Sequence, residues 1–349
     1  MARAMDDLFL RACRREPTER TPVWFMRQAG RSQREYRELR ERHGILDICR
    51  TPELAARVTK LPVEQLGVDA AILFSDIMVP VAGMGASLAI EEGRGPLIDR
   101  PVRSAGDIAR LHALDPEEDV PFVLEAVREI AKDIDCPLIG FAGAPFTLAS
   151  YLVEGGPSRD YARTKALMWS EPELWDRLMS LLSDSMLAYL GAQVEAGASA
   201  VQLFDSWAGA LSPQDYRDRV LPFSRRILEG LAGAGVPRIH FGVGASHLVE
   251  LLRDAEADVV GLDWRIPLDE GWARLGDGVA VQGNLDPAAV LAPWDALQRK
   301  AHDVLERAAG RPGHVFNLGH GVLPASDPDT LRRLVDLVHD RTERGASGG

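Results

Sequence analysis

The sequence contains little cysteine, with three residues in a chain of 349: Cys13, Cys49 and Cys136. The number is odd and no pair has C-x-x-C spacing, so the chain has neither a disulfide framework nor a zinc-finger pattern. Long apolar runs are also missing. The first twenty residues are interspersed with Arg, Asp and Glu, and the uncharged stretch 77–90 is too short to span a bilayer. We therefore expect a cytoplasmic protein with no signal peptide and no membrane partner.

An excess of basic residues is absent too. Lys and Arg number 40 against 52 Asp and Glu, which gives a net charge of −12. Neutralising phosphates requires a basic surface, so this balance argues against a general nucleic-acid binder. No G-x-G-x-x-G follows the first predicted strand, and G-x-S-x-G and G-x-x-x-x-G-K do not occur. His-x-Glu and Cys-x-His spacings are absent as well, so no metal site is predicted.

Short apolar segments recur along the chain, separated by stretches with helical periodicity. The eight segments are 22–26, 70–74, 137–141, 199–204, 237–241, 258–262, 279–283 and 315–318. Most lack polar alternation, as is typical of parallel strands covered on both faces. Eight right-handed strand–helix units predict an α/β fold, a single-domain (β/α)8 barrel of the TIM type. A doubly wound open sheet is the competing fold. We expect the barrel to occupy 1–342 and a disordered tail to follow over 343–349.

The connections between the predicted strands carry more specific signals. The gap between the second and third strands is too long for one helix, and it contains a predicted hairpin over 86–102 that turns at 93–95. Capping-box spacings predict helix starts at Ser170, Ser212 and Ser326.

Polar and glycine-rich clusters follow the predicted strands directly. In a barrel the carboxyl ends of all strands share one rim, where enzymes of this fold place their sites. Asp76 ends an apolar segment, and its carboxylate is either a ligand group or, alternatively, a helix N-cap or the structural partner of an arginine. His320 lies between two glycines that allow close backbone approach, the alternative being a packed or capping histidine. Ser206 and Tyr151 are each compatible with a cap or core hydroxyl or with a ligand contact, and His240 is interpreted as an interior histidine.

One segment is basic within this acidic chain. Between Trp24 and His43 six arginines stand against three glutamates, a local charge of +3. The later arginines alternate with Glu at helical spacing and are interpreted as a solvated helix face. Arg27 and Arg31 directly follow the first predicted strand, so we expect them to face the rim and to meet an anionic ligand there.

Six motifs follow one another along the chain: PVWFMRQAGR (22–31), FSDIM (74–78), GFAGAPFTLASYLVEGG (140–156), LFDSWAG (203–209), VQGNLDP (281–287) and NLGHGV (317–322). Together they resemble the uroporphyrinogen decarboxylase family over residues 3–340. The resemblance implies a cytoplasmic homodimer that removes the carboxyl groups of the four acetate side chains of uroporphyrinogen III. The product would be coproporphyrinogen III, in haem biosynthesis. The resemblance also implies that neither a metal nor an organic cofactor takes part.

The resemblance implies roles for individual positions. The arginines of R-Q-A-G-R are Arg27 and Arg31 and the aspartate of F-S-D is Asp76, and these three are implied to be catalytic as well as substrate-binding. The other implied substrate-binding residues are Tyr36, Tyr151, Ser206 and His320.

The reaction explains why such residues are needed. Losing CO2 from a pyrrole acetate leaves a carbanion, and a protonated pyrrole ring supplies the electron sink that a cofactor supplies elsewhere. Asp76 would accept hydrogen bonds from pyrrole N–H groups and stabilise the cationic ring. Arg27 and Arg31 would hold carboxylates through planar contacts. The family pattern makes Arg27 a candidate proton donor, although a free guanidinium is a poor acid.

One stretch departs from the family pattern. Where the family usually has Leu-Pro, this chain has Gln33-Arg34, a change expected to free the backbone and add a charge beside the site. This departure raises one alternative function, a tetrapyrrole-binding protein without catalysis. A second alternative is a zinc-dependent methyltransferase on a related barrel, with Cys and His ligands. Cys136 precedes its predicted strand and would lie on the opposite face from the rim.

Overall fold

The computed structural model describes residues 7–91 and 95–344. In chain order the strands are β1 Ala71–Ile72, β2 Leu88–Glu91, β3 Gly95–Ile98, β4 Leu138–Gly143, β5 Ala200–Asp205, β6 Arg238–Gly242, β7 Val259–Gly261, β8 Ala280–Gln282 and β9 His314–Val315. The α-helices are α1 Leu8–Cys13, α2 Arg34–Arg40, α3 Ile45–Arg50, α4 Pro52–Leu66, α5 Val79–Gly83, α6 Ala105–Ile108, α7 Pro116–Asp119, α8 Pro121–Asp133, α9 Pro145–Glu154, α10 Ala162–Ser170, α11 Pro172–Ala196, α12 Pro213–Arg219, α13 Leu221–Gly230, α14 Val249–Arg253, α15 Leu268–Leu275, α16 Trp294–Ala308 and α17 Pro328–Thr342. Short 3-10 helices occupy Ala208–Ala210, Ala232–Ala234, Ser246–Leu248 and Pro287–Leu291.

A parallel sheet forms the centre of the molecule, with the strand order β1-β4-β5-β6-β7-β8-β9. Each strand pairs with the next in the series, for example Ala71 opposite Leu138 and Val281 opposite His314. Helices separate successive strands, and all six residues of β4 are buried, as expected for a strand covered on both faces. The predicted barrel of the TIM type is thus confirmed.

The first predicted strand, 22–26, closes the ring between β9 and β1. On one side Val23 forms a parallel bridge with Phe316, whose N–H donates to the Pro22 carbonyl at 2.9 Å. On the other side the Asp69 N–H donates to the Val23 carbonyl at 2.8 Å, and the Asp69 carboxylate accepts the Val23 N–H at 2.7 Å. A side-chain carboxylate therefore takes the place that a neighbouring strand's carbonyl would occupy. This is why the segment makes only one strand bridge.

Several strands are shorter than predicted because side chains take over their backbone partners. Beyond Ile72, the Phe74 N–H donates to the Thr59 hydroxyl of α4 at 2.9 Å. Near the end of the last predicted strand, the Asn317 side chain accepts the Met26 N–H at 3.1 Å. At these two strands, β1 and β9, the carboxyl ends thus pass into loops two and three residues earlier than predicted, and these loops contribute to the rim.

The predicted hairpin is confirmed, since β2 and β3 pair antiparallel with Leu88 opposite Ile98. Its turn, predicted at 93–95, lies mostly outside the described residues.

Of the three predicted capping boxes, only the one at Ser212 is confirmed. The Ser212 hydroxyl accepts the Asp215 N–H at 3.1 Å at the start of α12. The prediction at Ser170 is wrong: this residue ends α10, and its hydroxyl donates to the Ala166 carbonyl at 2.7 Å. The prediction at Ser326 is wrong by one residue, because the Asp327 carboxylate caps α17 by accepting the Thr330 N–H at 3.1 Å.

The predicted tail, 343–349, lies mainly outside the described residues. Within them, the Arg344 N–H donates to the Glu19 carbonyl at 2.7 Å. Of the helices in the described ranges, none has the length and apolar character needed to cross a bilayer.

The closing contacts predict a stability effect at Asp69. Its buried carboxylate also accepts hydrogen bonds from His339 at 2.7 Å and Arg20 at 3.2 Å. Asp69→Ala leaves the Val23 N–H without an acceptor, so we expect it to lower the free energy of unfolding by about 2–4 kcal/mol in urea denaturation. Arg20→Ala, which removes a half-exposed partner, is the control and should cost under about 1 kcal/mol. Equal losses in the two variants would contradict this account of ring closure.

Candidate active site

The barrel places the predicted site residues on the carboxyl-terminal rim, apart from Tyr36 in α2. Arg27 and Arg31 follow the closing segment 22–26, Asp76 follows β1, Tyr151 lies in α9 after β4, Ser206 follows β5 directly and His320 follows β9. Arg27 and His320 are 293 positions apart in the chain. They become neighbours because ring closure sets β9 beside segment 22–26.

Asp76 is half-buried at the base of the rim. One of its carboxylate oxygens accepts the Met78 N–H at 2.9 Å. Burial of the carboxylate raises its pKa, while the Met78 N–H and the positive charge of Arg27 act in the opposite direction. The protein therefore compensates the charge of this carboxylate only partly, and the carboxylate has capacity for further hydrogen bonds.

Arg27 and His320 meet through a glycine. A Cβ added at Gly321 would lie 2.5 Å from the Arg27 Cδ, so only glycine lets the two loops pack this closely. Arg27 itself has φ of 56°, in the left-handed region that non-glycine residues rarely adopt. Such strain persists where the surrounding structure imposes it, often at functional sites.

His320 is neutral at physiological pH. Burial and the nearby charge of Arg27 and Arg265 lower the pKa of His320 to about 4, against an opposing effect of Asp263. Its Nδ1 accepts the Gly321 N–H at 2.6 Å, so the ring hydrogen resides on Nε2. The side chain can therefore donate one hydrogen bond without carrying charge.

Tyr36 and Arg31 differ in their access to the rim. Arg31 is exposed, and its carbonyl accepts a hydrogen bond from the Arg37 guanidinium at 2.8 Å. Tyr36 is only 4% exposed and packs against Phe74 with ring centroids 5.3 Å apart. In this structure Tyr36 supports the loop from behind, and its contact with a substrate stays a prediction.

Three aromatic residues, Tyr151, Trp207 and Tyr161, form an aromatic wall on the part of the rim that follows β4 and β5. The Trp207 ring centroid lies 4.0 Å from that of Tyr151 and 4.9 Å from that of Tyr161. Burial raises the pKa of the Tyr151 hydroxyl to about 12, so it stays protonated and can donate to an anion. Sequence reasoning identified Tyr151 but not Trp207 or Tyr161; the tryptophan of D-S-W-A-G was the available signal.

A buried carboxylate holds the loop that carries Ser206 and Trp207. Asp205 accepts hydrogen bonds from the hydroxyls of Thr147 and Tyr216, each at 3.1 Å. Thr147 in turn accepts the Trp207 N–H at 3.3 Å. Ser206 is half-buried at the end of this chain of contacts.

His240 has the interior position predicted from the sequence. Its Nδ1 lies 3.1 Å from the Leu252 carbonyl oxygen and its Nε2 lies 3.9 Å from Asp205, with both side chains fully buried. It therefore belongs to the support of the rim and not to its surface.

Gln33 and Arg34, where the chain departs from the family pattern, have separate environments. Gln33 is 1% exposed; its amide oxygen faces the Gly30 N–H at 3.4 Å and its amide nitrogen donates to Gln65 of α4 at 3.0 Å. Arg34 is exposed, opens α2 and pairs with Glu38 at 2.8 Å. Side-chain hydrogen bonds of Gln33 tie this loop to α4, and the expectation of a freer backbone stays a prediction.

The rim carries a further cation that sequence reasoning did not single out. Arg265 follows β7, and its guanidinium pairs with Asp263 at 2.7 Å and stacks on the Trp264 ring, 3.9 Å from the centroid. With the exposed Arg27 and Arg31 it gives the rim a positive character in a protein of net charge −12. The signal in the sequence was D-W-R directly after a strand.

Among the described residues, no three His, Cys, Asp or Glu side chains are grouped closely enough to share a metal ion. All three cysteines are buried, and Cys136 precedes β4 on the face opposite the rim. The zinc methyltransferase alternative therefore finds no ligand set in that part of the chain.

Comparison with known proteins gives a consistent pattern. A family model described as uroporphyrinogen decarboxylase (URO-D) matches residues 4–341. The uroporphyrinogen decarboxylase of Streptomyces coelicolor is 58% identical over 340 residues, covering 97% of this chain and 96% of the relative. That of Geobacillus kaustophilus is 53% identical over 343 residues, covering 98% and 99%. A solved methyltransferase from Methanosarcina mazei superposes with a TM-score of 0.82 at 20% identity, over 97% of this chain and 99% of that one, which shows a shared fold.

The contacts of Gln33 predict an energetic coupling with Gln65. Gln33→Leu leaves the half-buried Gly30 N–H and the Gln65 amide without their partner, so we expect a loss of about 1–3 kcal/mol in the free energy of unfolding. Replacing both residues with leucine should cost less than the sum of the two single changes. Arg34→Ala is the exposed control and should leave stability unchanged. Strict additivity in the urea denaturation cycle would contradict the bridge.

Proposed function

The chain belongs to the uroporphyrinogen decarboxylase family, and we propose that its rim binds uroporphyrinogen and decarboxylates the four acetate side chains to give coproporphyrinogen. The observation that carries this proposal is a partly compensated carboxylate, Asp76, on the same rim as the exposed Arg27 and Arg31. Its substrate offers complementary groups: pyrrole N–H donors at the centre and carboxylates at the periphery.

We propose that Asp76 accepts hydrogen bonds from the pyrrole N–H groups. Protonation of a pyrrole carbon turns the ring into a cation, the C–C bond to the carboxyl group breaks, and its electron pair passes into that ring as CO2 leaves. The anionic Asp76 stabilises this cation, and its partial burial strengthens the interaction. A second proton is then transferred to the methylene carbon, which becomes a methyl group, and the ring carbon releases the first proton so that the neutral pyrrole is restored.

The remaining rim residues position the substrate in this proposal. Arg27 and Arg31 hold carboxylates through paired N–H donors, and Arg27 orients the carboxylate that leaves. Tyr151 and His320 add neutral donors, since the tyrosine keeps its proton and His320 carries its hydrogen on Nε2. Ser206 contributes a hydroxyl beside the aromatic wall. A polyanionic substrate gives an acidic protein reason to keep a basic rim.

The experiment that tests the function is anaerobic incubation of the full chain with uroporphyrinogen, followed by mass analysis. The expected result is the successive loss of four CO2 units. Binding without loss of CO2 would instead support the alternative of a tetrapyrrole-binding protein.

The assembly and location are proposals that rest on the family resemblance. We propose a homodimer in the cytoplasm, in which each subunit is one barrel domain over 1–342. Sedimentation equilibrium distinguishes a dimer from a monomer.

Asp76 should be indispensable for turnover. We expect Asp76→Asn to lower kcat/KM by at least about 1000-fold, because the cationic ring loses its counter-charge. The fold should survive, since asparagine can still accept the Met78 N–H. Asp286→Asn is a matched control, because Asp286 is also a rim aspartate that accepts the N–H two residues on, at 2.9 Å from Ala288. Similar kcat/KM values for both variants would remove Asp76 from the mechanism.

Arg27 should act through both geometry and charge. Arg27→Lys keeps the charge but loses the planar donor pair, so kcat/KM should fall about 10- to 100-fold with an unchanged pH profile. Asp76 must be ionised, so activity falls as pH drops through its raised pKa. Because the Arg27 charge lowers that pKa, Arg27→Gln should also move the acid limb to higher pH. Acid limbs at the same pH in both variants would exclude this electrostatic role; Arg34→Gln is the exposed control.

A further inference from the structure

Arg265 is held in a fixed position on the rim by three separate contacts. Its own N–H donates to one oxygen of Asp263 at 3.0 Å, and its Nη1 donates to the other at 2.7 Å. The guanidinium carbon lies 3.9 Å from the centroid of the Trp264 ring. The side chain of Asp263 is 1% exposed, whereas that of Arg265 is 47% exposed. The pair is therefore anchored at the buried end and open at the guanidinium end.

Neutralising Asp263 does not require the whole guanidinium. Asp263 also accepts N–H hydrogen bonds from Gly244 and from the Arg265 backbone, so one nitrogen of the arginine completes its coordination. Within the described residues Nε and Nη2 of Arg265 make no hydrogen bond. The stacked and paired side chain is already fixed, so it loses little conformational entropy when its free N–H donors bind a carboxylate.

Arg265 lies beside the site already described. The loop that carries His320 has a glycine on each side of the histidine. A Cβ added at Gly319 would lie 2.5 Å from the Trp264 backbone nitrogen, and one added at Gly321 would lie 2.5 Å from the Arg27 Cδ. His320 therefore lies between the loop of Arg27 and the loop of Arg265. Both cations lower the pKa of His320.

We propose that Arg265 binds a propionate carboxylate of the tetrapyrrole, a group that the reaction leaves in place. This inference rests on the proposed function. Asp76 at the base of the rim receives the ring nitrogens, and Arg27 faces the acetate that leaves. The half-exposed Arg265 then lies where the longer propionate arm can reach it, and in each round it holds one propionate while a different acetate faces Arg27.

The test uses the full chain and two ligands that share the propionates. For Arg265→Gln we expect the KM for uroporphyrinogen to rise roughly 10- to 100-fold, as for the loss of a hydrogen bond to a charged group, with kcat nearly unchanged. The Kd for coproporphyrinogen, measured by anaerobic ultrafiltration, should rise by the same factor. Arg265→Lys keeps a cation beside Asp263 and should give a smaller rise, so it remains informative if the glutamine variant folds poorly. Arg333→Gln removes an arginine stacked 3.9 Å over Trp294 in the outer helical layer and is the matched control.

The possible results separate cleanly. If KM and Kd are unchanged in both Arg265 variants, Arg265 is only the counter-ion of Asp263 and the inference is wrong. A rise in KM without a rise in the Kd for coproporphyrinogen would assign Arg265 to an acetate and overturn the propionate site. A fall in kcat alone would mean that Arg265 acts through His320. If wild-type protein releases no CO2, the proposed function fails, whereas the coproporphyrinogen measurement still tests Arg265.

Discussion

The hydrogen bonds that close the barrel are the constraint on which the site depends. Segment 22–26 joins β9 through the Phe316 N–H and meets Asp69 through two hydrogen bonds, one to its backbone and one to its carboxylate. Each of the three chain segments that meet at this seam carries a functional group just past its end: Arg27, Asp76 and His320. A barrel left open here would keep most of its core but would separate those three groups. The seam thus serves both stability and chemistry.

The electrostatics of the rim depend on the Asp76 carboxylate, whose charge the protein compensates only in part. A fully paired Asp76 would have no capacity for a ligand, and an unpaired one would take up a proton. Asp76 lies between these limits, because the Met78 N–H and the charge of Arg27 compensate its carboxylate only in part. Its burial strengthens the electrostatic interaction of that carboxylate with a bound cation. Around it stand neutral donors, Tyr151 and His320, and guanidinium groups that keep their charge at any physiological pH. The same rim can therefore meet N–H donors at its centre and carboxylates at its edge.

Buried polar side chains take over tasks that apolar packing or backbone pairing performs elsewhere. Gln33 ties the arginine loop to Gln65, and Asp205 holds the loop of Trp207 through Thr147. Each such group requires its partner, since an orphaned buried amide or carboxylate is costly. This requirement fixes the positions of the loops. It also explains why the loop can be ordered with Gln33-Arg34 in place of the family's usual Leu-Pro.

The sequence alone determined the strand–helix alternation, the barrel, the hairpin and the rim positions of Arg27, Asp76 and His320, because hydrophobic periodicity and residue order are local properties. It did not determine where strands stop or which serine caps a helix, since Thr59, Asn317 and Asp327 compete for the same backbone groups. Only the tertiary structure decided that Tyr36 is enclosed, that Trp207 and Tyr161 form a wall with Tyr151, and that Arg265 joins the rim. Those outcomes depend on contacts between segments distant in the chain, and no local pattern encodes the distance between two side chains that only barrel closure brings together.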